Sequence, residues 1–441
     1  MKTLALSMTV WAALCSHALA QVATVPEKLS LDEALRMAEA RNPTLSAARE
    51  MVAMAEASGV AARQRPNPAF SFDSEGYPFS ESHRPPFFND QELTVRLDQE
   101  IETAGRRGLR ARSADLSLQA AQSTLLEERR RLRFDVRRAY FQVVLARADH
   151  EAAASALEEI DKVIALNRAR FEQGEISGIE FRRLQVERLK FADDVFAAEL
   201  AARNARSGLL ALLNMGKLDQ AFETTEPLGV PPAAPGPSGA SQAPPADAAT
   251  LRTRALADRP DLAAARQEES RAATETDLQR ALRTPNVTVG AGYKRDFGTG
   301  GIVVGVTVPL PIFGRNPGGV ERAEAERRMA ADRVMAAETA VLLDVQQAIN
   351  AVEVSRARVS YIEREHLTTA RGVRDIVSAS YRAGGSTLID FLDAQRAFRE
   401  TLRTYNRALY DHRISLFQLE AAIGAPGPDA ATPGPAGEEP R

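Results

Sequence analysis

Cysteine and tryptophan are all but missing from this 441-residue chain, Cys15 and Trp11 being the single examples of each. One cysteine cannot build a disulfide framework, and it leaves no basis for a thiolate metal cluster. Histidine is also scarce. His83, His150, His366 and His412 are scattered, with no ligand spacing such as HExxH. No Gly-rich loop lies between a strand and a helix, and no Ser/His/Asp trio presents itself. No catalytic residue, resident metal or cofactor is therefore expected. Charge is close to balance, with 56 basic against 59 acidic residues. That balance leaves no footprint for nucleic acid as a partner. Long apolar runs are absent too, so no transmembrane helix is predicted.

The N-terminus reads as a secretory leader over residues 1–20. Lys2 gives the positive start, Leu4–Leu14 the apolar run, and Ala18-Leu19-Ala20 the small-residue site ahead of Gln21. The alternative is a lipoprotein leader ending at Cys15. Leu14 argues against it, because that processing requires a small residue before the cysteine. Cleavage after Ala20 removes Cys15 and Trp11 together. Export without a helical anchor leaves a soluble periplasmic protein, a secreted one, or a β-barrel in the outer membrane.

What the chain does contain is a duplication. Arg41-Asn42-Pro43-Thr44-Leu45 matches Asp258-Arg259-Pro260-Asp261-Leu262, and Arg65-Pro66-Asn67-Pro68 matches Thr284-Pro285-Asn286-Val287. Gly105-Arg106 matches Gly314-Arg315, Phe171-Glu172-Gln173-Gly174 matches Tyr381-Arg382-Ala383-Gly384, and Glu180-Phe181 matches Asp390-Phe391. Each half then reads as a helix, two strands, a very long helix, a Gly turn and a return helix. The expected organisation is a leader at 1–20, a first repeat at 21–225, a linker at 226–248, a second repeat at 249–424 and a tail at 425–441. The linker and the tail are marked by Pro, Gly, Ala and Ser.

The strands alternate with period two. Leu93, Val95 and Leu97 oppose Thr94, Arg96 and Asp98; Phe70 and Phe72 oppose Ser71 and Asp73; Val304, Val306, Val308 and Leu310 oppose Gly305 and Thr307. Such strands suit a transmembrane barrel with a wet lumen, or the edge of a small soluble sheet. The helices favour the barrel. No proline interrupts Arg106–Phe171, and a heptad stripe runs through Leu118, Leu125, Leu132 and Ala139, with a second through Val136, Val143, Leu157, Ile164 and Phe171. A helix of that length makes a rod of roughly 100 Å. Return segments Ile179–Leu213 and Ile389–Ile423 are about half as long, as are the lead-in segments near Leu31–Arg63 and Leu251–Arg283. Four strands cannot close a barrel, and open edges cannot persist in lipid. Two copies give a filled barrel and three give a lumen, so a homotrimer is expected.

This repeated plan, the Gly turns, and Val308-Pro309-Leu310-Pro311-Ile312-Phe313-Gly314-Arg315 resemble the TolC-like outer-membrane factor family over nearly the whole mature chain. The run Asp98-Gln99-Glu100-Ile101-Glu102-Thr103-Ala104-Gly105-Arg106-Arg107 is similar to its CzcC-like heavy-metal efflux branch. The resemblance implies a mainly α protein with membrane β: a trimeric 12-strand outer-membrane β-barrel on a long periplasmic α-helical barrel. It implies outer-membrane lipid around the barrel, a periplasmic adaptor (membrane fusion protein) and a proton-driven inner-membrane efflux pump as partners. Many members of the metal branch carry a lipidated N-terminal cysteine, which cleavage after Ala20 would remove here.

The two Gly turns carry the candidate site. Gly174 and Gly384 each end a helix, where a left-handed residue is wanted. Ser177 with Glu180, and Thr387 with Asp390, have capping-box spacing. Asp393 lies one turn beyond Asp390 on the same side, and no cap requires it. The resemblance implies that these turns are periplasmic tips, with Asp390 and Asp393 as acidic rings in the constriction and Tyr381 as a gating tyrosine. Ser386 stands where the family's best-known gate pattern has an arginine, and Arg182 and Arg183 on the other tip are candidate positive partners. The arginine clusters Arg129–Arg131 with Arg133, and Arg137-Arg138, read as solvated helix faces. Two rivals remain: a periplasmic coiled-coil adaptor, which has one hairpin rather than two, and an envelope filament, which needs no strands. Within the family, drug efflux or type I secretion is the alternative to metal export.

Overall fold

The computed structural model describes residues 25–76, 92–229, 247–296 and 299–424. The expected leader and tail, and most of the linker, lie outside the described residues. In chain order the elements are β1 (Lys28–Leu29), α1 (Leu31–Arg41), α2 (Pro43–Arg63), β2 (Ala69–Glu75), β3 (Glu92–Ile101), α3 (Arg106–Glu172), α4 (Gly178–Leu212) and β4 (Glu223–Thr224). The second half supplies α5 (Ala248–Asp258), α6 (Pro260–Ala281), β5 (Val287–Asp296), β6 (Thr299–Thr307), α7 (Pro317–Tyr361), a π-helical turn (Ile362–Leu367), α8 (Thr368–Arg382) and α9 (Leu388–Ala422).

The proline-free stretch forms one unbroken helix of 67 residues, as its heptads predict. The lead-in helices differ from expectation, because both are broken at a proline. Asn42 and Arg259 precede Pro43 and Pro260 and take extended backbone, with ψ 124° and 123°. A proline disfavours the helical region for the residue before it, and a new helix then starts on the ring. The last strand is also shorter than its alternation suggests. It ends at Thr307, because Pro309 and Pro311 have no N–H to offer a ladder.

The chain divides into two compact units, each drawing on both sequence halves. The first comprises the chain up to Ser46, Glu128–Asp258 and Leu342 onward. Its described residues are helical apart from a two-residue parallel pair, Lys28 with Glu223 and Leu29 with Thr224. Fully buried Tyr140 donates its hydroxyl to Leu29 O at 2.8 Å, fixing that pair. Around it the arginines do more than face solvent. Arg129 and Arg133 both bind Glu39 of α1, Arg130 donates to Ala421 O of α9 at 2.8 Å, and Arg137 pairs with Glu420 at 2.8 Å. Arg131 and Arg138 stay exposed and pair with the local acids Glu128 (3.6 Å) and Asp135 (2.9 Å), as the spacing suggests. The partners of Arg129, Arg130, Arg133 and Arg137 are instead distant in sequence.

The second unit comprises Ala47–Glu127 and Arg259–Val341. It holds a four-stranded antiparallel sheet in the order β2-β3-β5-β6, beside helical segments cross-linked by Arg280–Glu324 (2.8 Å) and Arg266–Glu338 (2.9 Å). The base of the sheet is tied down by the run following β3. Thr103 Oγ1 donates to Pro285 O at 2.7 Å, its N–H donates to Asn286 Oδ1 at 3.2 Å, and Glu102 is gripped by Arg110.

Candidate functional site

The sheet is the first functional element. Its register forms rows that cross all four strands. Phe72, Val95, Tyr293 and Ile302 share one row, and Phe70, Leu97, Ala291 and Val304 the next. These rows lie on one face, and in the isolated chain their large members stand open: Phe70 is 70% exposed, Ile302 84% and Val304 70%. The alternate rows are mainly polar or glycine, interrupted by Ala69 and Val303. Asp73, Thr94, Lys294 and Gly301 form one; Ala69, Asp98, Gly290 and Gly305 form another. A contiguous exposed apolar face of this size is the mark of an interaction surface. Both outer strands, β2 and β6, have an unpaired edge among the described residues. No helix among the described residues is long and apolar enough to cross a membrane.

The two Gly turns are the second element, and they lie in the helical unit. Gly174 (φ +78°) ends α3 and Gly384 (φ +82°) ends α8. In each the next N–H reaches back five residues, Glu175 to Arg170 O and Gly385 to Ser380 O, both at 2.8 Å. That closes the helix with the left-handed glycine the spacing calls for. Both capping boxes form. Ser177 exchanges hydrogen bonds with Glu180 at 3.2 Å, and Thr387 with Asp390 at 3.1 and 3.2 Å. Hydrogen bonds from the Thr387 side chain and backbone hold the Asp390 carboxyl below the ordinary aspartate range.

The turns stand side by side. Arg170 donates to Arg382 O at 3.0 Å, and Ile160, Val163, Leu184, Tyr381, Phe391 and Leu392 pack in one core. Tyr381 stacks on Phe391 at 5.2 Å and donates its hydroxyl to Asn167 Oδ1 at 2.8 Å. Asn167 is 2% exposed and gives its own amide to Val163 O, which orients it to accept. Burial raises the Tyr381 pKa, so the phenol stays a donor. The duplicated pair, Phe171 on Phe181, stacks at 5.4 Å but has no hydroxyl, and Phe171 is exposed.

Asp393 is exposed and accepts from Arg396 at 3.1 Å. Arg396 also binds Glu187 of α4, whose side chain is buried. Burial opposes the Glu187 charge, yet hydrogen bonds from Arg396 and Lys190 prevail and keep its pKa low. Thus Tyr381, Gly384, Asp390, Asp393, Gly174 and Glu180 all fall at one pair of turns. Sequence reading missed Asn167 and the Glu187–Arg396 pair. A lone asparagine in the apolar stripe between Ile164 and Phe171 was the available signal. Among the described residues no group of three or more His, Cys, Asp or Glu is arranged to hold a metal ion.

An antiparallel sheet with one apolar exposed face, joined in one chain to duplicated helical hairpins, defines the TolC-like class of outer-membrane efflux channels. A sequence model of the outer membrane efflux protein family matches residues 34–215 and 251–425, and the chain belongs to that family. It is an outer-membrane protein whose relatives are channels, not enzymes. The cobalt-zinc-cadmium resistance protein CzcC of Cupriavidus metallidurans is 27% identical over 370 residues, covering 83% of each chain. Outer membrane protein TolC of Vibrio cholerae is 24% identical over 340 residues, covering 74% of this chain and 72% of the relative. The crystal structure of VceC, also from Vibrio cholerae, shares the fold with TM-score 0.73 at 20% identity, covering 89% of this chain and 96% of that one.

Proposed function

We propose that the chain is the exit duct of a tripartite efflux system, and that it exports heavy-metal cations such as cobalt, zinc or cadmium. Three copies share one 12-strand barrel, each contributing β2, β3, β5 and β6. The observation that carries this reading is the sheet: one face is apolar and open, and both edges lack partners among the described residues. Lipid cannot satisfy an open edge, so the edges must be closed by further copies. The similarity to CzcC supports metal cations as cargo. A proton-driven inner-membrane pump, joined through a periplasmic adaptor, selects the cargo that enters the duct. In this reading 21–225 and 249–424 are the two outer-membrane-factor repeats, and the paired turns are the periplasmic gate. Tyr381 holds the gate shut, Gly174 and Gly384 close its helices, Glu180 and Asp390 cap the returns, and Asp393 adds charge at the opening.

Detergent-extracted protein should have the mass of three chains; a stable monomer that stays soluble without detergent overturns the duct. Deleting the gene should sensitise cells to cobalt, zinc or cadmium only where adaptor and pump are present. The similarity to TolC favours a second reading, a duct for drugs or secreted protein. Unchanged metal tolerance with lost drug tolerance would select it.

A further inference from the structure

The polar face of the sheet carries a feature that barrel closure does not require. Arg96 sits on β3, yet its guanidinium reaches across β5 to β6. A Cβ placed on Gly305 would lie 3.1 Å from Arg96 Nη2 and 3.4 Å from its Cζ. One on Gly290 would overlap the Asp98 carboxylate and lie 2.7 Å from Arg96 Nε. The guanidinium is therefore spread flat over a floor of glycine. Gly292, opposite Arg96 in the register, has no room for a side chain either: a Cβ there would overlap Val95 O and lie 3.1 Å from Arg96 Cβ. Asp98, two residues along the same face, binds the flattened head at 2.7 Å. Three glycines, one arginine and one aspartate thus form a latch that lays a long cation along the wall and neutralises it. An arginine standing up from the same position would instead point away from the sheet with its charge unpaired.

We propose that Arg96 is a specificity-determining residue of the barrel lumen, held flat by Asp98 and the glycine floor so that the bore stays wide and presents no ring of positive charge. The inference rests on the shared barrel proposed above, in which the polar face lines the lumen. Three unpaired guanidiniums at one level would bind polyvalent anions and repel cations. Held down, they leave the passage open to cationic cargo.

The test uses the whole chain, purified as trimers in planar bilayers, with inorganic pyrophosphate added on the barrel side only, so that the tip does not enter. Asp98→Asn frees the guanidinium without changing side-chain size. Pyrophosphate should then block at about tenfold lower concentration than in wild type. Gly305→Val, which fills the floor and leaves Asp98 in place, should raise the same block and lower unit conductance. Adding Arg96→Gln to Asp98→Asn should return block to the wild-type level. If D98N and G305V channels conduct and are blocked no more readily than wild type, the latch has no part in selectivity and the proposal falls. Wild-type protein that forms no trimer and passes no current overturns the duct reading itself, and the latch with it.

Discussion

The hydroxyl of Tyr381 ends on a buried asparagine, one hydrogen bond added to the shared core and the Arg170 contact that hold the two turns together. Phenylalanine at that position keeps the stack on Phe391 but leaves Asn167 Oδ1 without its donor. An unmet buried acceptor costs about 1–3 kcal/mol. As the proposed gate, Tyr381→Phe should raise open probability in bilayers while trimer yield is kept; unchanged conductance would put the gate elsewhere. The acids separate by a different measurement. Asp390 is part of a cap, and its depressed pKa sets the sign. The cap is complete above the ordinary aspartate range and is lost as pH falls through the depressed value. Thr387→Ala should abolish this acid-side dependence, read as hydrogen exchange at the first turn of α9. Asp393 caps nothing, so Asp393→Ala should leave that exchange alone and reduce cation block at the tip. If conductance and cation selectivity are both untouched by Asp393→Ala, its only role is the ion pair with Arg396.

At the scale of elements, the duplication gives a matched pair of turns and a matched prediction. A Cβ on Gly174 or Gly384 meets nothing within 4 Å, so alanine there is resisted only by the left-handed backbone. Each substitution should cost about 1–2 kcal/mol, seen as faster exchange at the ends of α3 and α8. Because the turns share one core, the double variant should depart from additivity. The same elements explain what was legible in the sequence. The span of α3 followed from missing proline, the strands from two-residue alternation, and both caps from local spacing. Each is a property of neighbouring residues. The partners of Arg129, Arg133 and Arg137 come from α1 and α9, far away in sequence, and local charge gave the wrong surroundings. The breaks at Pro43 and Pro260 have a local mark, the proline itself, but the stripe of apolar residues continues across them and masks it. The π-helical turn at Ile362–Leu367 carries no sequence mark of that kind.

For the whole molecule, what most needs an environment is the apolar face of the sheet. The burial that secures an ordinary sheet is absent on that side within the chain: Phe70, Ile302 and Val304 are exposed. If hydrocarbon supplies it, a charge on that face must be dragged into lipid, at about 2–4 kcal/mol for arginine near the midplane. A trimer carries the penalty in three places at once. Val304→Arg should therefore abolish insertion, leaving aggregated or degraded protein in the envelope fraction. Ser71→Arg is the matched control, on the opposite edge strand β2 and facing the other way by register. On the wet side its charge stays hydrated, so trimers should assemble and the change should appear only in ion selectivity. Equal tolerance of both would mean that the face is covered by protein rather than lipid. The apolar rows would then be a docking surface, and the barrel assignment would fail at its foundation.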